Sequence, residues 1–376
     1  MYKLALGVII SFMLALTPAT AARHDGNVKV TKTKKASVSK KPRFKRRDVA
    51  VSRTEATPHQ NIIRRTITVN GRRKVVYQRV IVSQQRVARS APVAVPRMSF
   101  GDRAGLNLTR DPLDLASSVA LVLDQNNSQV LFEKNANIAL PMASITKLMT
   151  GLIVVEANLD MNEILTVTED DVDHEKFTGS RLRVGAQLPR STLLHIALMS
   201  SENRAAAALG RNYPGGVAGF VAAMNAKARV LGMFDTRYVD TSGLSSRNVA
   251  SARDLAKLAI AAYGEPLLRQ YSTDPNSVVQ AGGRTLNYNN TNYLVKSPSW
   301  DIGLQKTGFI NEAGRCLVMQ AMIQGRAVIM VFLDSKGKQS RTADAVRVKR
   351  WLEALAPSSI TITPAVSQTA GVAQGG

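Results

Sequence analysis

Where the large apolar residues fall along these 376 residues decides what the chain can fold into. From Arg23 to about Thr57 they are too sparse, among many Lys, Arg, Ser and Thr, for burial to offset the lost chain entropy. A basic, largely disordered N-terminal arm is expected there. Followed as far as Arg97, this stretch holds 21 Lys and Arg against 3 acidic residues, a net +18. Lys3 adds one charge, so residues 98–376 carry only +4 of the total +23.

Residues 1–22 combine Lys3, an apolar run from Leu4 to Leu16 and the small residues Ala19-Thr20-Ala21, the pattern of a cleaved export signal. The run falls short of the ~18 residues that read as a spanning helix, and no other stretch of spanning length follows it. The mature protein is therefore expected to be secreted or periplasmic, with no stable transmembrane segment. Export would permit disulfides, but Cys316 is the single cysteine and lies in the apolar run Cys316-Leu-Val-Met319, so it reads as a small core residue. Nucleic acid is the usual partner of a basic arm, but an exported arm is not expected to meet it. Anionic envelope polymer, or solvent alone for a plain linker, takes its place.

Organisation begins with Thr66-Ile-Thr-Val69, the dipeptide Asn70-Gly71 and the β-rich run Val75 to Val82, which suggest a hairpin over 64–83 with a type I′ turn. Ala91-Pro-Val-Ala-Val-Pro96 closes the arm as a linker. A catalytic-size domain spans 115–356, with a tail over 357–376. Ser118 to Asp124 and Gln129 to Glu133 read as strands about the turn Gln125-Asn126-Asn127, and Ser144 to Ala157 as a helix. Helical sequence continues through 191–209 and 217–231. Strands return at 301–305, 316–323 and 327–333, before a helix over 342–354. Strands at both ends with helices between them predict an α/β domain: a mainly antiparallel sheet flanked by helices, with an all-helical subdomain inserted over about 148–235.

Three motifs carry chemistry. Ser144-Ile-Thr-Lys147 places an amine on the same helical face as a hydroxyl, within reach to take its proton. Ser37-Val-Ser-Lys40 and Ser335-Lys-Gly-Lys338 share the spacing, but only Ser144 opens a helix with an apolar stretch behind it. Alone, the motif describes an N-cap serine followed by a solvated lysine. Ser201-Glu-Asn203 sits at a break between two apolar helical runs, and Ser246-Arg-Asn248 fits the same bare pattern. Lys306-Thr-Gly308 occurs once, at a strand end, where glycine lets a substrate backbone approach and lysine and threonine can hold a carboxylate. The order S-x-x-K, S-x-N, K-T-G along one exported chain is far more specific than any member.

Together with Pro141 to Thr150, Met199 to Ala207, Asp240-Thr-Ser-Gly-Leu244 and Lys306 to Gly314, these motifs resemble the low-molecular-mass penicillin-binding proteins, the serine D-alanyl-D-alanine carboxypeptidases and endopeptidases. The likeness spans roughly 115–354 and leaves the arm and tail aside. It implies the penicillin-binding protein and β-lactamase fold, with peptidoglycan stem peptides as substrates, β-lactams as covalent inhibitors, and neither cofactor nor metal. Ser144 would be the nucleophile, Lys147 its base and Ser201 the relay to the leaving amine. Asn203 would bind substrate backbone, while Lys306, Thr307 and Gly308 would hold its carboxylate region, helped by Arg341. The N–H groups of Ser144 and Phe309 would form the oxyanion hole. Ser-Glu-Asn followed by Arg204-Ala-Ala, and an end soon after Trp351, favour the endopeptidase branch over the carboxypeptidases. A class A β-lactamase should carry Ser-Asp-Asn and an E-x-x-L-N element, whereas Glu265-Pro-Leu-Leu-Arg269 lacks the asparagine and lies too far beyond Ser201. A non-catalytic wall-binding module would not need Ser144, Lys147 and Lys306 intact.

Overall fold

The computed structural model describes residues 60–81 and 98–355. The export signal, the arm outside residues 60–81 and the tail over 357–376 lie outside the described residues. The chain divides into two compact units, Met1–Ala91 and Pro92–Gly376.

In the first unit, β1 (Gln60–Val69) and β2 (Arg72–Ile81) pair antiparallel, Val69 opposite Arg72. Asn70 and Gly71 turn the chain with φ of 50° and 74°, and two successive positive φ values are what a type I′ hairpin turn requires.

The second unit is built on a five-stranded antiparallel sheet. After the short helix α1 (Phe100–Arg103) come β3 (Ser117–Asp124) and β4 (Val130–Lys134). The chain then leaves the sheet through β5 (Leu140–Pro141) and α2 (Thr146–Glu156). The strands β6 (Ile164–Thr166) and β7 (Gln187–Pro189) pair antiparallel before α3 (Arg190–Met199), α4 (Asn203–Arg211) and α5 (Gly216–Val230). The segment over 148–235 is therefore not all-helical as expected: Leu165 and Leu188 are buried between less buried neighbours, the alternation of paired strands too short to show a period in the sequence. Next, β8 (Val249–Ala250) pairs back with β5, and α6 (Ala252–Gly264) and α7 (Pro266–Thr273) follow. A hairpin of β9 (Asn276–Ala281) and β10 (Arg284–Asn289) precedes the return to the sheet. There β11 (Asp301–Ile310), β12 (Gly314–Ile323) and β13 (Arg326–Ser335) are followed by α8 (Ser340–Leu355). The strand order β11-β12-β13-β3-β4 places the two ends of the domain side by side in one sheet.

Both faces of that sheet are covered. Ala120, Val122, Leu317, Met330 and Phe332 pack with Ala345, Val348 and Leu352 of α8. The alternate residues Val119, Leu121, Val318, Ile329 and Val331 join the larger core with α2 and α6. Double coverage explains why β13 is an unbroken apolar run rather than an alternating one. Cys316 is fully buried in the larger core, and burial pushes its thiol up to about 12. The carboxylate of Asp344, on α8, accepts from Ala116 N–H at 3.0 Å and Ser117 N–H at 2.9 Å, fixing the helix against the start of β3.

The β9–β10 hairpin has no counterpart in the sequence reading. Its signal is present: Val279, Ala281, Leu286 and Tyr288 alternate inward about Gly282-Gly283, whose φ values are 54° and 69°.

Candidate active site

Ser144 is not the first residue of a regular helix. It lies in a 3-10 turn, Ala143–Ile145, that runs directly into α2. Ala143 enters this turn at φ 49°, a left-handed conformation costly for a side-chain-bearing residue. Three elements hold the turn. An ideal Cβ at Gly308 would meet Met142 O at 2.9 Å and Ser144 N at 3.0 Å, so glycine is what lets β11 lie this close to Ser144. Gly243 is tighter still: its φ is 82°, and an added Cβ would meet Ala143 O at 1.9 Å. Asn248, fully buried, donates to Thr146 Oγ1 at 3.1 Å and to Asp240 O at 3.1 Å. The alternative S-x-N match ending at Asn248 is thus an internal brace.

Lys147 projects from the first turn of α2 and is 1% exposed. Its Nζ lies 2.9 Å from Ser144 Oγ, 2.7 Å from Asn203 Oδ1 and 2.6 Å from Ser242 O. Burial brings its pKa down to about 7, against the raising influence of Asp240 and Glu202. That displacement from 10.5 favours the neutral amine by about 5 kcal/mol relative to an exposed lysine. A neutral amine has two N–H donors and one lone pair. Carbonyl oxygens can only accept, so Asn203 Oδ1 and Ser242 O take the two protons, and the lone pair faces the Ser144 hydroxyl. This is the arrangement a general base requires.

Ser242 was not a candidate residue, although its segment was singled out. Its loop is held by Asp240, whose Oδ1 accepts from Ser242 N–H at 2.7 Å and Gly243 N–H at 2.6 Å and whose Oδ2 accepts from Ser245 N–H at 2.9 Å. The signal is the Asp-Thr-Ser-Gly spacing of an Asx-type turn, but the contact with Lys147 is made by a backbone carbonyl, which no side-chain motif encodes.

Ser201 and Asn203 straddle the break between α3 and α4, with Ser201 at φ 60°. The left-handed residue stops α3 and turns the motif toward Ser144. Ser144, Ser201, Asn203, Thr291, Thr307, Gly308, Phe309 and Arg341 line one cleft of about 220 Å³. Thr291 is a further addition to the sequence reading, and its hydroxyl accepts from Thr307 Oγ1 at 2.7 Å. Arg341 Nη1 donates to Gly308 O at 2.6 Å and Cys316 O at 3.2 Å, bracing the end of β11. Burial, the charge of Arg315 also contributing, brings its pKa down to about 10 despite Cys316.

Lys306 stands apart from the other motif residues. It is fully buried behind the cleft lining, with Nζ donating to Thr307 O at 3.0 Å. Burial, reinforced by the charges of Lys147 and Arg341, holds its pKa well below the ordinary lysine value. It can act on the cleft through the Thr307 backbone and its field, while Thr307 and Arg341 line the cleft itself. Of the other S-x-x-K matches, Ser335 bonds Ser340 Oγ at 2.6 Å at the β13–α8 turn, and Ser37 lies outside the described residues.

A sequence profile described as D-alanyl-D-alanine carboxypeptidase matches residues 107–337. The chain is 47% identical over 268 residues to a D-alanyl-D-alanine endopeptidase of Pseudomonas aeruginosa, covering 71% of this chain and 84% of that protein. A D-alanyl-D-alanine endopeptidase of Escherichia coli is 44% identical over 242 residues, covering 64% and 78%. Among solved structures, a Streptomyces DD-transpeptidase superposes with a TM-score of 0.61 at 27% identity, over 66% of this chain and 100% of that one.

Proposed function

The chain belongs to the D-alanyl-D-alanine carboxypeptidase family of serine peptidases, and from that premise we propose that it is an endopeptidase that opens peptidoglycan cross-links through an acyl-enzyme on Ser144. The observation that carries this reading is the Lys147 amine, buried, with its pKa brought down to about 7 and its lone pair left facing Ser144 Oγ.

In the first half-reaction Ser144 Oγ bonds to the D-alanyl carbonyl carbon as its proton passes to Lys147 Nζ. The oxyanion forms against the N–H groups of Ser144 and Phe309, donors worth about 3 to 4 kcal/mol each in serine enzymes. The C–N bond then breaks, and Ser201 relays the proton to the departing amine. Asn203 holds the peptide backbone, while Thr307 and Arg341 receive the carboxylate beside the scissile bond. Water hydrolyses the ester and restores the hydroxyl.

A β-lactam presents the same carbonyl in a ring whose leaving amine stays tethered, so the acyl-enzyme persists. Among the described residues no carboxylate lines the cleft to activate water, and Glu265 stands at the N-terminus of α7 outside it. Slow release of the antibiotic follows, rather than β-lactamase turnover. The same reading covers export after loss of residues 1–22, and an arm whose +18 charge holds anionic envelope polymer.

Mass spectrometry of wall fragments incubated with the protein tests the reaction. Cross-linked dimers falling to monomers identify an endopeptidase, whereas loss of one terminal alanine identifies a carboxypeptidase.

A further inference from the structure

Beside the S-x-N break lies a second pocket, of about 170 Å³, whose lining includes Arg181, Arg183, Arg284, Ala281 and Leu286. No carboxylate lines it, and none of the three arginines forms an ion pair among the described residues. The backbone carrying two of them is braced: Leu182 is buried, and its carbonyl accepts from Arg204 Nη1 at 2.6 Å. Arg181 ties the pocket to the catalytic machinery, reaching Ser200 Oγ at 3.5 Å with its guanidinium 5.0 Å from the centre of the Tyr288 ring. Ser200 adjoins Ser201, and β10 runs from Arg284 to Asn289, just before Thr291; Ser201 and Thr291 line the cleft.

Three exposed arginines lining one concavity, without an ion pair among the described residues, suit a carboxylate, which guanidinium groups can hold by paired, charge-assisted hydrogen bonds. We propose that this pocket binds a second carboxylate of the stem peptide, away from the scissile bond, and so selects long anionic peptides over short neutral ones. The inference rests on the peptidase reading given above.

Its test compares the wild type with the Arg183→Ala/Arg284→Ala variant on a cross-linked peptide with free carboxylates and on the same peptide with every carboxylate amidated except the one beside the scissile bond. The variant should lose about tenfold in kcat/KM on the free acid, the scale of one charge-assisted contact, and nothing on the amide. An equal loss on both, or no loss on the acid, overturns the pocket. A wild type that is acylated by penicillin but cleaves neither peptide overturns the peptidase reading, and the pocket's role with it.

A different observation carries a second inference. Asp173 Oδ2 accepts from Thr178 Oγ1 at 2.6 Å and Thr178 N–H at 2.8 Å, while Oδ1 accepts from the N–H groups of Glu175 and Lys176 at 2.9 Å. Burial pushes this carboxyl up, but the bonds from Lys176, Thr178 and Glu175 outweigh it and hold the group below 3.8. At neutral pH Asp173 is therefore an acceptor only, and the Thr178 hydroxyl proton is committed to it. Thr178 Oγ1 is left to accept from Asn203 Nδ2, at 3.0 Å. A flipped Asn203 amide would set its oxygen against Thr178 and its NH₂ against Lys147. We infer that Thr178 is a positioning residue that acts through Asn203 to keep Oδ1, rather than Nδ2, on the Lys147 amine.

The charged groups around Lys147, namely Asp240, Glu202 and Lys306, are untouched by substitution at Thr178. Acylation by a fluorescent penicillin should slow about tenfold in Thr178→Val, the scale of one hydrogen bond, and Thr178→Ser should restore it. A donor facing Lys147 disfavours its ammonium, so the acid limb of the Thr178→Val pH profile should move to lower pH while the plateau falls. A wild-type limb and plateau in Thr178→Val, or no recovery in Thr178→Ser, would refute the role.

Discussion

Lys147 Nζ lies 2.9 Å from Ser144 Oγ, while its other two neighbours are oxygens that can only accept. The serine is thus the one neighbour able to give the amine a proton. A pKa of about 7 makes the neutral form abundant under mild conditions.

The acylation rate should therefore rise with pH through about 7 and level off above it, read by stopped-flow with a chromogenic cephalosporin. Stability moves in the same direction for this group. Its folded pKa is below the unfolded value of 10.5, so unfolding takes up a proton between the two, and stability from this residue rises with pH across that window. Lys147→Arg keeps the charge but supplies no neutral base, and should lower acylation by at least about 100-fold. Activity surviving there would rule out Lys147 as the base.

Gly243→Ala should damage the site from outside the motifs. The new methyl would meet Ala143 O at 1.9 Å on a backbone at φ 82°, forcing the loop and its Ser242 carbonyl away from Lys147. A loss of about 1–3 kcal/mol in denaturant melts and slower penicillin acylation are expected together.

Arg341→Ala removes a cleft cation and the donor to Gly308 O. A hydrogen bond to a charged group is worth about 1.5–3 kcal/mol, so kcat/KM for a peptide ending in a carboxylate should fall by about 10- to 150-fold. The same peptide with an amidated terminus should lose less. Equal losses would confine Arg341 to bracing β11.

Deleting residues 23–97 should leave hydrolysis of a small soluble peptide unchanged, because every motif lies beyond them, but reduce attack on insoluble wall. Binding of the intact protein to sacculi should weaken as salt shortens the screening length from about 10 Å at 0.1 M to about 3 Å at 1 M. Equal sedimentation of both forms at low salt would make the arm a spacer.

The sheet strands and the helix α8 were legible because each is long and apolar enough to show its periodicity over several residues. Motif spacing pointed to Ser144, Lys147, Ser201 and Asn203, because one or two turns of backbone fix those distances. Lys306 was legible as part of a motif but not as buried, since K-T-G does not say which strand face meets the core. Thr291 and Ser242 stayed hidden for a different reason. They reach the cleft through tertiary approach, one across a strand end and the other by its carbonyl, and local sequence encodes neither.

Mass spectrometry after incubation with penicillin reads the proposed nucleophile directly. The intact protein should gain one penicilloyl group, localised by proteolysis to the peptide bearing Ser144, and a folded Ser144→Ala variant should gain none. Labelling that persists in Ser144→Ala, or that maps to Ser201 in the wild type, would contradict the account.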